Sequence, residues 1–160
     1  MTPLATFIDT VSPQSIKIDD SFSGAVAYAD GRWAWPLAEV DRFAAAGKHM
    51  YRISVTGANP KIASFIDCES GDATAAQAAR YVRARNDIAG DGGFYASRST
   101  VAAVVAELGD EPAWLWCADW TGQPHIPQLE LPPNVKLALV QYQNLPDRDL
   151  SAVYSRAWLG

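Results

Sequence analysis

The sequence predicts an α/β fold: a compact, shortened (β/α) barrel of parallel strands, with fewer helices than strands. Three observations predict it. Segments that favour strands alternate with segments of helical periodicity, which is typical of parallel sheets. About eight segments are strand-like, the number that closes a barrel. The 160 residues are few for such a barrel, and the third and fourth strands leave no room for a helix between them.

The first half of the chain contains four predicted strands and one predicted helix. The helix, at 36–48, has an apolar periodicity with Pro36 at its start and Gly47 near its end. Short apolar runs rich in β-formers predict the strands at 5–11, 24–30, 49–57 and 62–69.

The second half continues the alternation. A helix is predicted at 74–90, where Thr74 and Gln77 fit a capping box, and another at 100–109, after Ser99. The apolar stripe of the first of these helices consists of Ala76, Ala79, Tyr81, Val82 and Ile88. Four more strands are predicted at 93–97, 113–120, 135–143 and 149–158.

The composition narrows the classes of function. A formal net charge of −5 without a basic cluster argues against nucleic acid as a partner. No apolar run is long enough to span a membrane, and the N-terminus has no visible signal peptide. We therefore expect a chain made in the cytoplasm that must be carried to any site outside the cell. Cys68 and Cys117 fit neither a metal site nor a disulfide framework and are predicted to be buried thiols.

The segment FIDCESGD, residues 65–72, places two acids at the end of the fourth strand. Strand alternation puts Asp67 and Glu69 on one face and Cys68 on the other. Two carboxyl groups held close together cannot both ionise freely, so one keeps its proton to a higher pH. The pair can thus supply an acid and a base in one site, as glycoside cleavage requires.

Other polar residues also fall at strand ends, where parallel barrels form their active sites. These are Asp9, Asp119, Gln141 and Asp149. We expect Asp9, Asp67, Glu69 and Gln141 to converge. Two alternatives concern single residues: Asp9 as an ordinary strand-end cap, and Asp119 as an anchor of the following loop through His125 or backbone amides.

Aromatic residues lie at or just beyond the strand ends as well. Sugars stack their C–H faces on aromatic rings while their hydroxyl groups bind acids and amides. The alternative is core packing, which we expect to account for Trp114, Trp116 and about half of the others. The strand-end aromatics are Tyr28, Trp33, Trp35, Tyr51, Tyr95, Trp120 and Tyr142.

Six short motifs follow one another along the chain. They are FID at Asp9, FIDCES at Asp67 and Glu69, GFYAS at Tyr95, LWCADW at Trp116 and Trp120, LVQYQN at Gln141 and Tyr142, and DLSAVY at Asp149. In content and order the motifs resemble those of glycoside hydrolase family 25, the Chalaropsis-type lysozymes, and related phage lysin domains.

The resemblance implies one TIM-like barrel domain over residues 1–160 and a retaining N-acetylmuramidase that cleaves the β-1,4 bond after N-acetylmuramic acid in peptidoglycan. It implies Glu69 as the general acid and then base, protonated at working pH. Asp67, ionised, would orient the 2-acetamido group of the substrate, which attacks in place of an enzyme nucleophile. Asp9 and Asp149 would complete an acidic floor. No metal or cofactor is implied.

The remaining expectations concern partners. We expect peptidoglycan glycan strands to contact Tyr28, Tyr51, Tyr95, Asp119, Trp120, Gln141, Tyr142 and Asp149. The missing signal peptide suits a phage protein that acts at the bacterial wall after release or as part of a virion, with other virion proteins as further partners. Two alternatives remain open. One is a non-catalytic wall-binding or structural tail domain with a lysozyme-like barrel. The other is a glycosidase or glycan-binding protein that acts on a different wall polymer.

Overall fold

The computed structural model describes residues 2–159, which form a closed barrel of eight strands arranged in chain order. The strands are β1 (Ala5–Asp9), β2 (Gly24–Tyr28), β3 (His49–Ser54), β4 (Phe65–Asp67), β5 (Gly93–Ser97), β6 (Ala113–Ala118), β7 (Val135–Asn144) and β8 (Asp149–Val153). The helices are α1 (Leu37–Ala45), α2 (Ala75–Ala89) and α3 (Val101–Leu108), and single 3-10 turns occur at Pro13–Ser15 and Arg156–Trp158.

The predicted barrel with fewer helices than strands is confirmed. Each predicted strand and helix is present, and most are shorter at their ends than the sequence pattern suggested. The connection between β3 and β4, residues 55–64, contains no helix, as expected. The final segment differs most, because the strand predicted over 149–158 ends at Val153 and is followed by a 3-10 turn.

The expectation of an entirely parallel sheet is wrong at β8. This strand runs antiparallel to both β7 and β1, whereas the six other pairings are parallel. The reason is the short β7–β8 connection, residues 145–148, because a parallel pair needs a crossover of about a dozen residues. As a consequence Asp149, the first residue of β8, pairs with Asp9, the last residue of β1.

The alternation of side chains along the strands divides the core into layers. One face of the strands fills the barrel interior with residues such as Phe7, Phe65 and Trp116. The other face packs under α2 and α3 and includes Cys68 and Cys117, which are free, buried thiols. The prediction that both thiols are buried is therefore confirmed, and Cys68 lies on the face opposite to Asp67, as predicted.

Helix α2 begins as its sequence predicts. The Thr74 hydroxyl accepts from the backbone N–H of Gln77, and the Gln77 side chain accepts from the backbone N–H of Thr74. Ile88 does not join the buried stripe, because it lies in the last turn and is 49% exposed. No helix within residues 2–159 is both long enough and apolar enough to span a membrane.

The N-terminal end of the barrel is closed by Trp158 from the last 3-10 turn. Its ring centroid lies 4.6 Å from those of Tyr51 and Phe65 and 5.8 Å from that of Trp114. Gly93 leaves room for this packing, since a Cβ there would lie 2.7 Å from the Phe65 ring. The predicted substrate contact of Tyr51 is therefore wrong: the residue lies near the start of β3, at the opposite end of the barrel from the strand-end acids.

Candidate functional site

A small pocket of about 150 Å³ lies where the C-terminal ends of the parallel strands converge. It contains four of the five predicted acids and three of the seven predicted strand-end aromatics. Its lining residues are Asp9, Tyr28, Ile53, Asp67, Glu69, Tyr95, Trp116, Trp120, Gln141 and Asp149. The expected convergence of Asp9, Asp67, Glu69 and Gln141 is thus observed.

Strand alternation explains how the acids reach the pocket. Asp9 and Asp67 each follow an interior phenylalanine, Phe7 or Phe65, by two residues and share its face. Glu69 lies two residues further along, just beyond β4. Asp149 joins them only because β8 runs antiparallel and begins at this end of the barrel.

Gln141 lies at the centre of the hydrogen-bond network in the pocket. Its Oε1 accepts from the Tyr95 hydroxyl and from the Trp120 indole N–H, each at 2.8 Å. With two donors on the oxygen, the Nε2 group is directed to Asp9 Oδ2 at 3.1 Å and Asp149 Oδ2 at 3.3 Å. Gln141 is only 2% exposed, so it positions the residues around it from beneath the pocket surface.

Asp9 and Asp149 are held in an environment that favours their protonated forms. Burial, followed by the charge of Asp149, raises the pKa of Asp9 to about 8, although the Gln141 bond opposes the shift. Burial also raises the pKa of Asp149 to about 6, against a 2.7 Å bond that its Oδ1 accepts from Asn144. At neutral pH the floor of the pocket therefore retains a proton on Asp9.

Asp67 and Glu69 differ in exposure. Asp67 is 5% exposed, and its Oδ1 is buried with no hydrogen-bond partner among the described residues. Burial and then the Glu69 charge raise the pKa of Asp67 to about 8. Glu69 is exposed as a residue, yet partial burial of its carboxyl group raises its pKa as well. Burial thus favours the protonated form of Asp67 in the unliganded protein, whereas the resemblance implied an ionised Asp67.

These raised pKa values predict that stability falls as pH rises. Between pH about 4 and about 8 the unfolded chain loses the Asp9 proton while the folded protein keeps it. Over this range, each such group lowers the free energy of unfolding by up to about 1.4 kcal/mol for every unit by which the pH rises. The stabilisation that the group provides is therefore fully present only below pH about 4. Asp9→Asn removes one titrating group and should flatten the fall. Urea unfolding of both proteins at pH 5, 6.5 and 8 measures this, and parallel curves would contradict it.

Trp116 is a site residue that the sequence pattern assigned to the core. It is buried, as predicted, but its ring also lines the pocket, and its indole N–H donates to Ser151 Oγ at 3.0 Å. Alternation along β6 gave the signal, because Trp116 shares a face with Trp120. Nothing in the sequence assigned Ile53 or Asn144 to the site, because apolar residues and amides are common near the ends of strands.

Besides Tyr51, two predicted site residues lie outside the pocket. Tyr142 directly follows Gln141, and its ring is buried away from the lining. Asp119 anchors the following loop, which is the alternative that the sequence left open: its Oδ2 lies 2.9 Å from His125 Nε2 and 3.7 Å from Arg98 Nη1. Burial alone would lower the pKa of His125, but the Asp119 hydrogen bond reverses this and the pKa is raised.

Two wider grooves flank the pocket and extend it into a cleft. The β1–β8 groove, about 390 Å³, shares Asp9, Tyr28 and Asp149 with the pocket. The β5–β6 groove, about 630 Å³, shares Glu69 and Trp120 with it. An extended chain molecule lying in both grooves would therefore pass over the acids.

No three His, Cys, Asp or Glu side chains within residues 2–159 are grouped so that they could hold a metal ion. The chemistry that these residues themselves offer is proton transfer between carboxyl groups in a partly desolvated pocket.

Comparison with known proteins identifies the architecture. No protein-family model matches the chain, and no curated protein matches it. A solved structure does: the Mycobacterium tuberculosis Tat-secreted protein Rv2525c, crystallised in complex with HEPES. The two share one barrel fold. The match has a TM-score of 0.54 and 16% sequence identity and covers 95% of this chain and 96% of that one.

Proposed function

We propose that this protein is a retaining glycoside hydrolase of the N-acetylmuramidase type, related to glycoside hydrolase family 25, that cleaves peptidoglycan. The observation that carries the proposal is the position of Glu69. This carboxyl group lies beside buried Asp67 and lines both the pocket and the β5–β6 groove. A glycan strand in the cleft would place a glycosidic bond next to it.

Glu69 is the general acid and then the general base. Partial burial raises the pKa of Glu69 and so favours its protonated form, and the exposure of the residue allows contact with the bound sugar. In the first step Glu69 gives its proton to the glycosidic oxygen, which leaves with the bonding electron pair. In the second step the Glu69 carboxylate takes a proton from the attacking water.

Asp67 orients the 2-acetamido group of the substrate. The acetamido carbonyl oxygen attacks the anomeric carbon as the glycosidic bond breaks, and the acetamido nitrogen becomes positively charged. Asp67 lines the pocket, and an oxygen of its carboxyl group would accept the N–H of that group. An N–H donor at this oxygen favours the ionised form, so substrate binding shifts the proton of the Asp67–Glu69 pair towards Glu69.

Trp120 supplies a surface for sugar stacking. The residue is 60% exposed, yet its indole N–H is held by Gln141, so the ring stays in a fixed orientation beside Glu69. A fixed aromatic face lowers the entropy cost of binding a pyranose ring. Peptidoglycan strands are the proposed partner, and action at the bacterial wall after release from a host, or as part of a phage particle, is the proposed setting.

The experiment that tests the proposal is a cleavage assay on purified peptidoglycan. We expect the protein to release soluble fragments with new N-acetylmuramic acid reducing ends, and early products with the β anomeric configuration. New N-acetylglucosamine reducing ends, or none, would contradict the muramidase proposal.

The same assay separates the enzyme from the wall-binding module. A binding module would sediment with purified walls but release no fragments at any pH from 4 to 8. Walls that differ in peptide cross-links and secondary polymers should be included, so that a negative result on one wall type is not decisive.

A further inference from the structure

We infer that the β5–β6 groove binds a carboxylate-bearing side group of the glycan through Arg98, an inference that rests on the proposed glycan substrate. The side group is either the lactyl carboxylate of a muramic acid residue or the acidic peptide attached to it. Both present the same chemistry, an anion next to apolar methyl groups on a sugar.

The two grooves each contain one arginine, and the two differ in how firmly they are paired. In the β1–β8 groove, Arg148 is 20% exposed and donates through two nitrogens to Asp147, at 3.0 and 3.2 Å. In the β5–β6 groove, Arg98 is 52% exposed, and its contacts are long: 3.7 Å to Asp119 Oδ2 and 3.5 Å to the Gln128 carbonyl oxygen. An incoming anion therefore meets the less engaged guanidinium at Arg98.

The acid nearest to Arg98 has a better partner. Asp119 Oδ2 lies 2.9 Å from His125 Nε2, a shorter contact than the one it makes with Arg98. Asp119 can consequently keep a hydrogen bond when Arg98 turns towards a ligand. The guanidinium would then form two parallel hydrogen bonds with a ligand carboxylate, an arrangement that arginine favours.

The rest of the groove suits the other parts of such a side group. Ser97 and Ser99 place hydroxyl groups beside Arg98, and their oxygens lie 3.1 Å apart. Leu129 and the Trp120 ring provide apolar surface for methyl groups. The β5–β6 groove also contains Glu69 and Asp119, but the β1–β8 groove contains three carboxyl groups, Asp9, Asp147 and Asp149, and its arginine is already paired. The side group is thereby directed to the β5–β6 side of Glu69.

The test measures how Arg98→Gln changes the affinity for three ligands. Every protein compared also carries Glu69→Gln, so that the ligands remain uncleaved. The ligands are a muramyl tetrasaccharide with free lactyl carboxylates, the same sugar with those groups converted to amides, and the same sugar bearing acidic peptides. We expect R98Q to weaken binding of a carboxylate-bearing ligand about five- to tenfold and that of the amide less than twofold. The loss should shrink at 0.3 M salt because Arg98 is half exposed.

Arg148→Gln is the matched control, and it should not discriminate between the ligands. A loss with the free lactyl ligand identifies the lactyl carboxylate as the recognised group; a loss confined to the peptide-bearing ligand identifies the peptide. Equal losses with all three ligands, a carboxylate-specific loss caused by R148Q, or no binding at all would overturn the inference. If the parent protein cleaves walls but R98Q does not discriminate between the ligands, the inference about Arg98 fails and the proposed hydrolase function stands. If binding depends on Arg98 but the parent protein does not cleave walls, the hydrolase function fails and the inference about Arg98 stands.

Discussion

Replacing Glu69 with Gln should reduce peptidoglycan cleavage by about 10²–10⁴-fold, the usual contribution of general acid–base help. The amide keeps the shape of the side chain but has no proton to transfer to the glycosidic oxygen. Because Glu69 is exposed, its replacement should leave the stability of the barrel nearly unchanged. Release of reducing ends from purified walls measures the rate, and urea unfolding checks the fold.

Two companion variants sharpen this test. Glu107→Gln makes the same chemical change at an exposed position on α3 and should not alter cleavage. Asp67→Asn should also impair cleavage strongly, since the acetamido group would lose a charged acceptor. If E69Q cleaved walls at the rate of E107Q, Glu69 could not be the acid, and the proposed mechanism would fail.

Replacing Trp158 with Ala should lower the free energy of unfolding by about 3–5 kcal/mol, the usual cost of deleting a large buried aromatic side chain. Trp158 is 2% exposed and contacts three aromatic rings at the closed end of the barrel. Trp33→Ala is the matched control, because that ring is 40% exposed. Urea unfolding measures both, and similar losses would contradict the view that Trp158 closes the barrel.

Trp158→Phe separates packing from polarity at the same position. The Trp158 Nε1 is buried without a hydrogen-bond partner among the described residues, which is unfavourable in itself. Phenylalanine keeps most of the ring contacts and removes this donor. We therefore expect W158F to lose much less stability than W158A.

Much of the fold could be predicted from local patterns. The alternation of strand and helix signals gave the barrel, and the capping box at Thr74 gave the start of α2. The direction of β8 was missed because apolar periodicity is the same for parallel and antiparallel strands. Only the short 145–148 connection distinguishes them, through the length of chain that a crossover needs.

The candidate site was predictable where alternation along one strand decides the direction of a side chain. This applies to Asp67, Glu69 and Trp120. The prediction fails for Tyr51, because this residue lies too far from the C-terminal end of its strand to reach the pocket. It also fails for Tyr142, because the preceding residue, Gln141, points inward and Tyr142 therefore points away. Protonation was also beyond sequence reasoning, because the pKa of Asp67 depends on how deeply the closed barrel buries it.

The antiparallel direction of β8 also determines where segments attached to this barrel would lie. Leu4, just before β1, donates its backbone N–H to the Val153 carbonyl oxygen at 2.8 Å, so the chain enters and leaves the barrel side by side. Both points lie at the end closed by Trp158, opposite to the cleft. A fusion partner or surface tether joined at either point would therefore leave the cleft facing outward. A short linker that joined the two points would allow circular permutation without passing over the cleft.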